Sequence, residues 1–273
     1  MGRIGEFLSR RLRFDPEGHV VSGRLAEFRL MKLTNAVAGS ALVLEGIRIP
    51  DPEEGGRREI DMVIATGDEI LFVEQKHWSG SFTITSEGRF FQKRKNGSTL
   101  MHKNIVSWTA RKGDILCDLH ENRTDKAAPP GRTVLVFSNK NLEWEKLPEE
   151  VPAEAYDEMG FINMVQNMKK SPPSKELYET LMGFGTWDTI HLNGGMSVFG
   201  DILKYPFAKK DCSIEHTGIL GLLAGPKSRL STGQVVTDQS GPLISIVGED
   251  GSRVIPFANI AKIEFSNPRA EWG

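Results

Sequence analysis

The sequence holds only two cysteines in 273 residues, Cys117 and Cys212. They lie far apart and form no CxxC pair, so neither a thiolate zinc site nor a disulfide framework is implied. Reduced thiols of a cytosolic protein are the plain reading. Long hydrophobic runs are missing too. No stretch approaches the ~18 apolar residues of a membrane helix. The opening Met1-Gly2-Arg3-Ile4-Gly5-Glu6 has no apolar signal core. Glu6 also stands where a myristoylation signal carries Ser or Thr. A soluble, cytoplasmic protein with no membrane partner is expected. An excess of one charge is likewise absent, the formal net charge being −2. A protein that coats nucleic acid by bulk electrostatics is more basic. Any phosphate contact must therefore come from a local patch or from metal ions. No GxxxxGK[ST] loop is present, which excludes the usual NTP-hydrolysing motif, and the six histidines show no HExxH-like spacing. His102 and His120 read as surface residues.

What is present is a globular composition. Hydrophobic residues make up 39% and charged residues 26%, enough to bury a core. The length suits one large domain or one plus a small one. Residues 3–14 read as a short amphipathic helix carrying Arg10, Arg11 and Arg13, packed on the body or serving as a DNA-contacting arm. Ser22 is a candidate N-cap for a helix over 23–38, with Leu25, Phe28, Leu33 and Val37 as its buried face and Gly39 as its stop. A strand over 41–49 and a polar Pro/Gly loop over 50–58 follow. Two apolar runs, 60–65 and 70–73, flank Thr66-Gly67-Asp68-Glu69, where a Gly-first two-residue turn fits a tight hairpin. A strand over 81–85, a helix over 102–122, a buried strand over 133–137 and helices near 153–169 and 174–184 complete the first part. From residue 186 on, short strands alternate with turns such as Asn193-Gly194-Gly195 and Ser240-Gly241-Pro242. That spacing indicates a small barrel or sandwich with an SH3-like ending.

The hairpin carries the chemistry. With Gly67 and Asp68 as its loop, paired residues have numbers summing to 135, so Asp61 lies opposite Glu74. Directly opposed side chains share a face with Cβ atoms about 4.5–5.5 Å apart. Lys76, two residues on, points to the same face. Two carboxylates that close repel unless something offsets them. A hard divalent cation does so, and Mg²⁺ is commonly held by one or two carboxylates plus water and substrate phosphate. Such an ion polarises a phosphate and generates hydroxide, while Lys76 could orient the water or neutralise developing charge. Both faces of these strands are otherwise apolar, so three charges there are costly unless they act. A salt-bridged Asp–Lys–Glu cluster at an exposed strand end remains the alternative.

Glu59-Ile60-Asp61, a turn and then Phe72-Val73-Glu74-Gln75-Lys76 resemble the core of the PD-(D/E)xK nuclease superfamily, and more narrowly the NERD (nuclease-related) domain. The resembling stretch runs from about Gly23 to Phe137 and includes Glu27 and Trp78-Ser79-Gly80. The resemblance implies that Asp61 and Glu74 hold Mg²⁺ or Mn²⁺, that Lys76 assists the water, and that Glu27 supports the metal site. It also implies a restriction-endonuclease-like mixed sheet flanked by helices. The sequence departs from the family pattern at Ile60, where Pro is common. Phe91 stands where a Trp is expected, and Asn104-Ile105-Val106-Ser107-Trp108 replaces an Asn-Pro and Gln pattern.

Residues 89–112 carry Arg89, Lys93, Arg94, Lys95, Lys103, Arg111 and Lys112 with no acid among them, and Phe90, Phe91 and Trp108 between. This stripe is the candidate phosphate-binding surface, the alternative being a solvated hairpin tip and an ordinary helix. His77 points to the face opposite Lys76. The expectation is thus an α/β nuclease domain over 1–185 and a small β-rich domain over 186–273. The first would be a metal-dependent nuclease acting on DNA, by analogy, rather than RNA. The second would serve a homodimer or a protein partner. A catalytically inactive module of the same fold that binds nucleic acid or protein is the competing reading.

Overall fold

The computed structural model describes residues 18–85, 89–216, 227–237 and 239–266. The expected helix over 3–14, with its arginines, lies outside them. The chain divides into two compact units, over residues 22–186 and 187–266. In chain order the first runs α1 (Gly18–Val37), β1 (Leu42–Pro50), β2 (Arg57–Ala65), β3 (Ile70–Lys76), β4 (Gly80–Ile84), β5 (Phe90–Lys93) and β6 (Thr99–His102). It continues with α2 (Ile105–Thr124), β7 (Gly131–Phe137), β8 (Leu142–Trp144), β9 (Glu154–Asp157), α3 (Glu158–Asn167) and α4 (Lys175–Leu181). The second holds β10 (Asp188–Leu192), β11 (Ser197–Lys204), β12 (Cys212–His216), β13 (Lys227–Leu230), β14 (Val235–Thr237), β15 (Leu243–Ile246), β16 (Arg253–Val254) and β17 (Ile260–Glu264).

The first unit is built on a five-stranded mixed sheet, ordered β1-β2-β3-β7-β9. Its β1, β2 and β3 run antiparallel, and β7 and β9 add in parallel. One face packs Met62, Ile64, Leu71 and Val73 against Leu30 of α1 and Phe161 of α3. The other packs Val63, Ala65, Ile70 and Phe72 against Leu116 of α2 and Leu177 of α4. Because both faces are covered, the central strands are apolar on both sides. In a smaller sheet, β6-β5-β4-β8, the strands β4 to β6 carry the chain from the end of β3 to the start of α2, and β8 joins in parallel after β7. Its Phe82 and Phe90 pack with Phe137.

Several local expectations are corrected. α1 extends back to Gly18, so Ser22 lies inside the helix rather than at its start. The helix buries Ala26, Leu30 and Thr34, with Ala38 buried just past its end, leaving Leu25 and Phe28 each 64% exposed. The smaller alanine-and-leucine stripe is the one that meets the sheet. Glu154–Asp157, expected to be helical, pairs with β7 as a strand, and the helix starts only after Asp157, whose carboxylate accepts the Gly160 N–H. His120 is buried against Thr180 Oγ1 at 2.9 Å rather than on the surface.

The second unit is one antiparallel sheet of eight strands, β14-β13-β12-β17-β10-β11-β15-β16, curled into a half-barrel. Ile190, Ile244, Ile260, Ile263 and Phe257 fill its concave side. A single 3₁₀ turn, Phe257–Asn259, leads into the last strand. No helix among the described residues is long and apolar enough to cross a membrane.

Candidate active site

The β2–β3 hairpin has the expected register: Ala65 pairs with Ile70, Ile64 with Leu71, Val63 with Phe72 and Met62 with Val73. Gly67 does not take the positive φ of a primed turn. The turn is fixed instead by Thr66, whose Oγ1 accepts the N–H groups of Asp68 (3.2 Å) and Glu69 (3.0 Å). A Cβ at Gly67 would stand 3.1 Å from the Pro172 carbonyl, tighter than ordinary contact.

Pairing stops after Met62–Val73, and the next two residues are Asp61 and Glu74. In place of a ladder bond, the Gln75 N–H donates to Asp61 Oδ2 at 2.8 Å. A carboxylate thus sits where the two strands part. On the same face Lys76 donates to Glu74 Oε1 at 2.5 Å, so the structure brings the three expected residues together. β3 also runs beside β7 through the whole site, Glu74 opposite Leu135 and Lys76 opposite Phe137. That leaves the site at the carboxyl end of β3, where an open α/β sheet leaves room for a ligand.

Lys112, expected in the phosphate-binding stripe, belongs here instead: its Nζ donates to Glu74 Oε2 at 2.7 Å and the residue is buried. Thr109, one turn earlier on α2, reaches the same oxygen at 3.1 Å. Its one hydroxyl hydrogen is shared with the Ile105 carbonyl at 2.8 Å. Gly113 makes this possible by letting α2 lie close to β3. A Cβ at Gly113 would stand 2.4 Å from Phe72 Cδ2. The available signal was helical spacing, since 109, 112, 113 and 116 share one face. Arg111 leaves the stripe as well. It grips the buried Asp51 with Nη1 at 2.8 Å and Nη2 at 2.9 Å, tying the β1–β2 loop to α2. Arg89, Lys93, Arg94, Lys95 and Lys103 are exposed, and Lys103 lies 5.7 Å from the centre of the Trp108 ring.

Glu27 stands nearby on α1, bonded to Arg24 at 2.7 Å. Burial raises its carboxyl, Arg24 partly opposes this, and Asp61 raises it further. Burial, reinforced by the neighbouring Glu74, pushes Asp61 up to about 7. Burial works the same way on Glu74, but Lys76 and Lys112 outweigh it and bring its carboxyl down to about 2. Lys76 is likewise held charged: burial disfavours its ammonium, and Glu74 and Asp61 overcome that. At neutral pH Asp61 is thus the carboxylate whose charge is least compensated.

Behind the site the chain turns through Trp78, which stacks on His102 at 4.0 Å and 18°. His102 Nε2 meets Gln92 Oε1 at 3.0 Å, and Gln92 Nε2 donates to the Ser79 carbonyl at 2.8 Å. The amide orientation therefore makes Nε2 the protonated nitrogen of neutral His102. His77 lies against Ser138 at 3.0 Å.

These features define an α/β protein with a carboxylate-and-lysine centre where two central strands part. Residues 22–138 match the family model NERD, the nuclease-related domain, and this stretch contains the Glu-Ile-Asp and Glu-Gln-Lys segments that resemble it. The matched stretch contains Glu27, Asp61, Glu74 and Lys76 and the basic residues from Arg89 to Lys112. No curated protein and no solved structure matches the chain.

Proposed function

We propose that this protein is a metal-dependent nuclease that hydrolyses phosphodiester bonds of DNA, with Mg²⁺ or Mn²⁺ held by Asp61 and Glu74. The observation that carries the reading is the parting of β2 and β3 at two facing carboxylates with Lys76 beside them. The donor set fits a hard cation. Asp61 and Glu74 offer oxygen ligands, and the raised Asp61 carboxyl is what a nearby cation would relieve. Among the described residues no three His, Cys, Asp or Glu side chains gather closely enough to enclose an ion. Water and substrate phosphate would complete the coordination, as is common for Mg²⁺.

A bound ion supplies Lewis acidity to the phosphate and lowers the pKa of an attacking water. Lys76, held charged, orients that water or offsets negative charge developing on the phosphoryl oxygens. Glu27 supports the site from α1. Arg89, Lys93, Arg94, Lys95 and Lys103 would hold the nucleic-acid backbone beside it. We read the mixed sheet as a restriction-endonuclease-like core and the C-terminal half-barrel as an SH3-like module that binds a partner or a second copy of the chain.

One observation favours the competing reading of an inactive binding module: both Glu74 oxygens already carry ammonium partners. Cleavage of plasmid and single-stranded DNA in Mn²⁺, Mg²⁺ or EDTA decides between them. The nuclease reading expects metal-dependent cutting that Asp61→Ala and Lys76→Ala each reduce at least about a hundredfold. No cutting in any condition, with no metal-induced stabilisation, would leave the binding module. RNA offered beside DNA tests the choice of substrate.

A further inference from the structure

Lys112 is a buried cation on α2, set against the site by the close approach at Gly113. Its ammonium and that of Lys76 take one Glu74 oxygen each, at 2.7 Å and 2.5 Å. The neighbouring Arg111 adds nothing here, because its guanidinium is committed to Asp51. Further out, Arg24 is shared by Glu27 at 2.7 Å and Glu59 at 3.8 Å. With both carboxylates ionised, as metal ligands must be, the inner group is two carboxylates, Asp61 and Glu74, against two ammoniums, Lys76 and Lys112.

We propose that Lys112 is a positioning residue that balances this inner group to neutrality, so that a divalent ion is held firmly only when a phosphodiester is also bound. The inference rests on the nuclease reading. A neutral group gains a charge of +2 when a divalent ion enters alone, in surroundings where charges are poorly screened. Each phosphate that approaches brings a negative charge that offsets it. The ion and the nucleic acid then raise one another's affinity by the same factor, as linkage requires. Lys76 cannot provide this alone, since with one ammonium the two carboxylates would leave a net negative site that attracts metal without substrate. Lys112 also fixes Glu74, because its Nζ and the Thr109 hydroxyl hold the Oε2 oxygen while Lys76 holds the other.

The test is Mn²⁺ binding, read by the electron paramagnetic resonance of free Mn²⁺, on the full chain with and without a phosphorothioate-linked oligonucleotide. Wild type is expected to bind the ion weakly alone and more tightly with the oligonucleotide. Lys112→Met should bind it about tenfold or more tightly in the absence of oligonucleotide, and the oligonucleotide should then add less. Lys112→Arg, which keeps the charge, should stay near wild type. Lys112→Gln keeps a donor to Glu74 without the charge and should follow Lys112→Met; it serves if the methionine variant fails to fold by circular dichroism. If wild type binds the ion and Asp61→Asn loses it, but the neutral Lys112 variants bind no more tightly than wild type, this inference fails and the metal site stands. If wild type binds no Mn²⁺ in either condition, the nuclease reading fails and the inference with it.

Discussion

Asp61 and Asp51 are carboxylates within one unit whose environments push them in opposite directions. Asp51 accepts from Arg111 and Arg58, which hold its carboxyl well below the usual range. Its stabilising effect is therefore present above the unfolded value near 4 and is lost as pH falls through the lower folded value. Asp51→Asn should flatten the acid limb of a urea-midpoint profile below about pH 4; an unchanged limb would show that the arginine grip adds nothing. Asp61 is raised to about 7, chiefly by burial. The folded protein then holds a proton that the unfolded chain has released, so stability falls between about pH 4 and pH 7 as pH rises. In EDTA, wild type should lose several degrees of melting midpoint from pH 5 to pH 8, and Asp61→Asn should lose less. Equal losses would mean that Asp61 ionises without strain. Added Mn²⁺ should recover the loss in wild type, by about 2.7 kcal/mol at a hundred times its Kd.

The elements place these residues through close approach. Gly113 lets α2 reach β3, and a methyl group there would meet the Phe72 ring. Gly113→Ala should cost about 1–3 kcal/mol in urea denaturation, and Phe72→Leu in the same chain should recover part of it, since the obstacle is a side chain. Gly80 differs. It has φ +89° and its Cβ would stand 2.0 Å from the Lys93 carbonyl, a backbone atom. Gly80→Ala should therefore cost more than Gly113→Ala, and no side-chain change at Lys93 should repair it. If both cost the same, the sheet β4–β5 yields more easily than its geometry implies. Gly80 falls within the Trp-Ser-Gly segment that follows Lys76, and the packing reason for its glycine is the close antiparallel pairing of β4 with the end of β5.

At the scale of the molecule, the net charge of −2 means that the nucleic acid of the proposed function would have to be held by a local patch. The exposed members of the proposed patch are Arg89, Lys93, Arg94, Lys95 and Lys103, with Arg94 and Lys95 at the turn between β5 and β6. Replacing Arg94 and Lys95 together by Ala should weaken duplex binding at all sequences alike and lower the salt dependence by about two counterions. Arg111→Ala should instead act mainly on stability, because its guanidinium is spent on Asp51 and Glu53. An unaltered salt slope in the Arg94, Lys95 variant would move the binding surface elsewhere.

The sequence by itself determined the hairpin. Alternation and the position of the turn fixed the register, and the register put Asp61, Glu74 and Lys76 on one face, because side chains on a strand repeat every two residues. Local chemistry also marked Gly39 as the end of α1, where the structure has φ +62°. Tertiary structure decided what local pattern leaves degenerate. On α1 several apolar stripes compete, and only packing in the cluster with Leu71 and Phe161 selected the one carrying Leu30. Glu154–Asp157 became a strand because β7 offered an open edge to pair with. Arg111 and Lys112 are adjacent in sequence and look alike in a basic run. A helix turns about 100° between them, so one guanidinium closes on Asp51 and the neighbouring ammonium closes on Glu74. Which charge meets which partner was settled by the packing of α2 on β3, and no spacing along the chain encodes that distance.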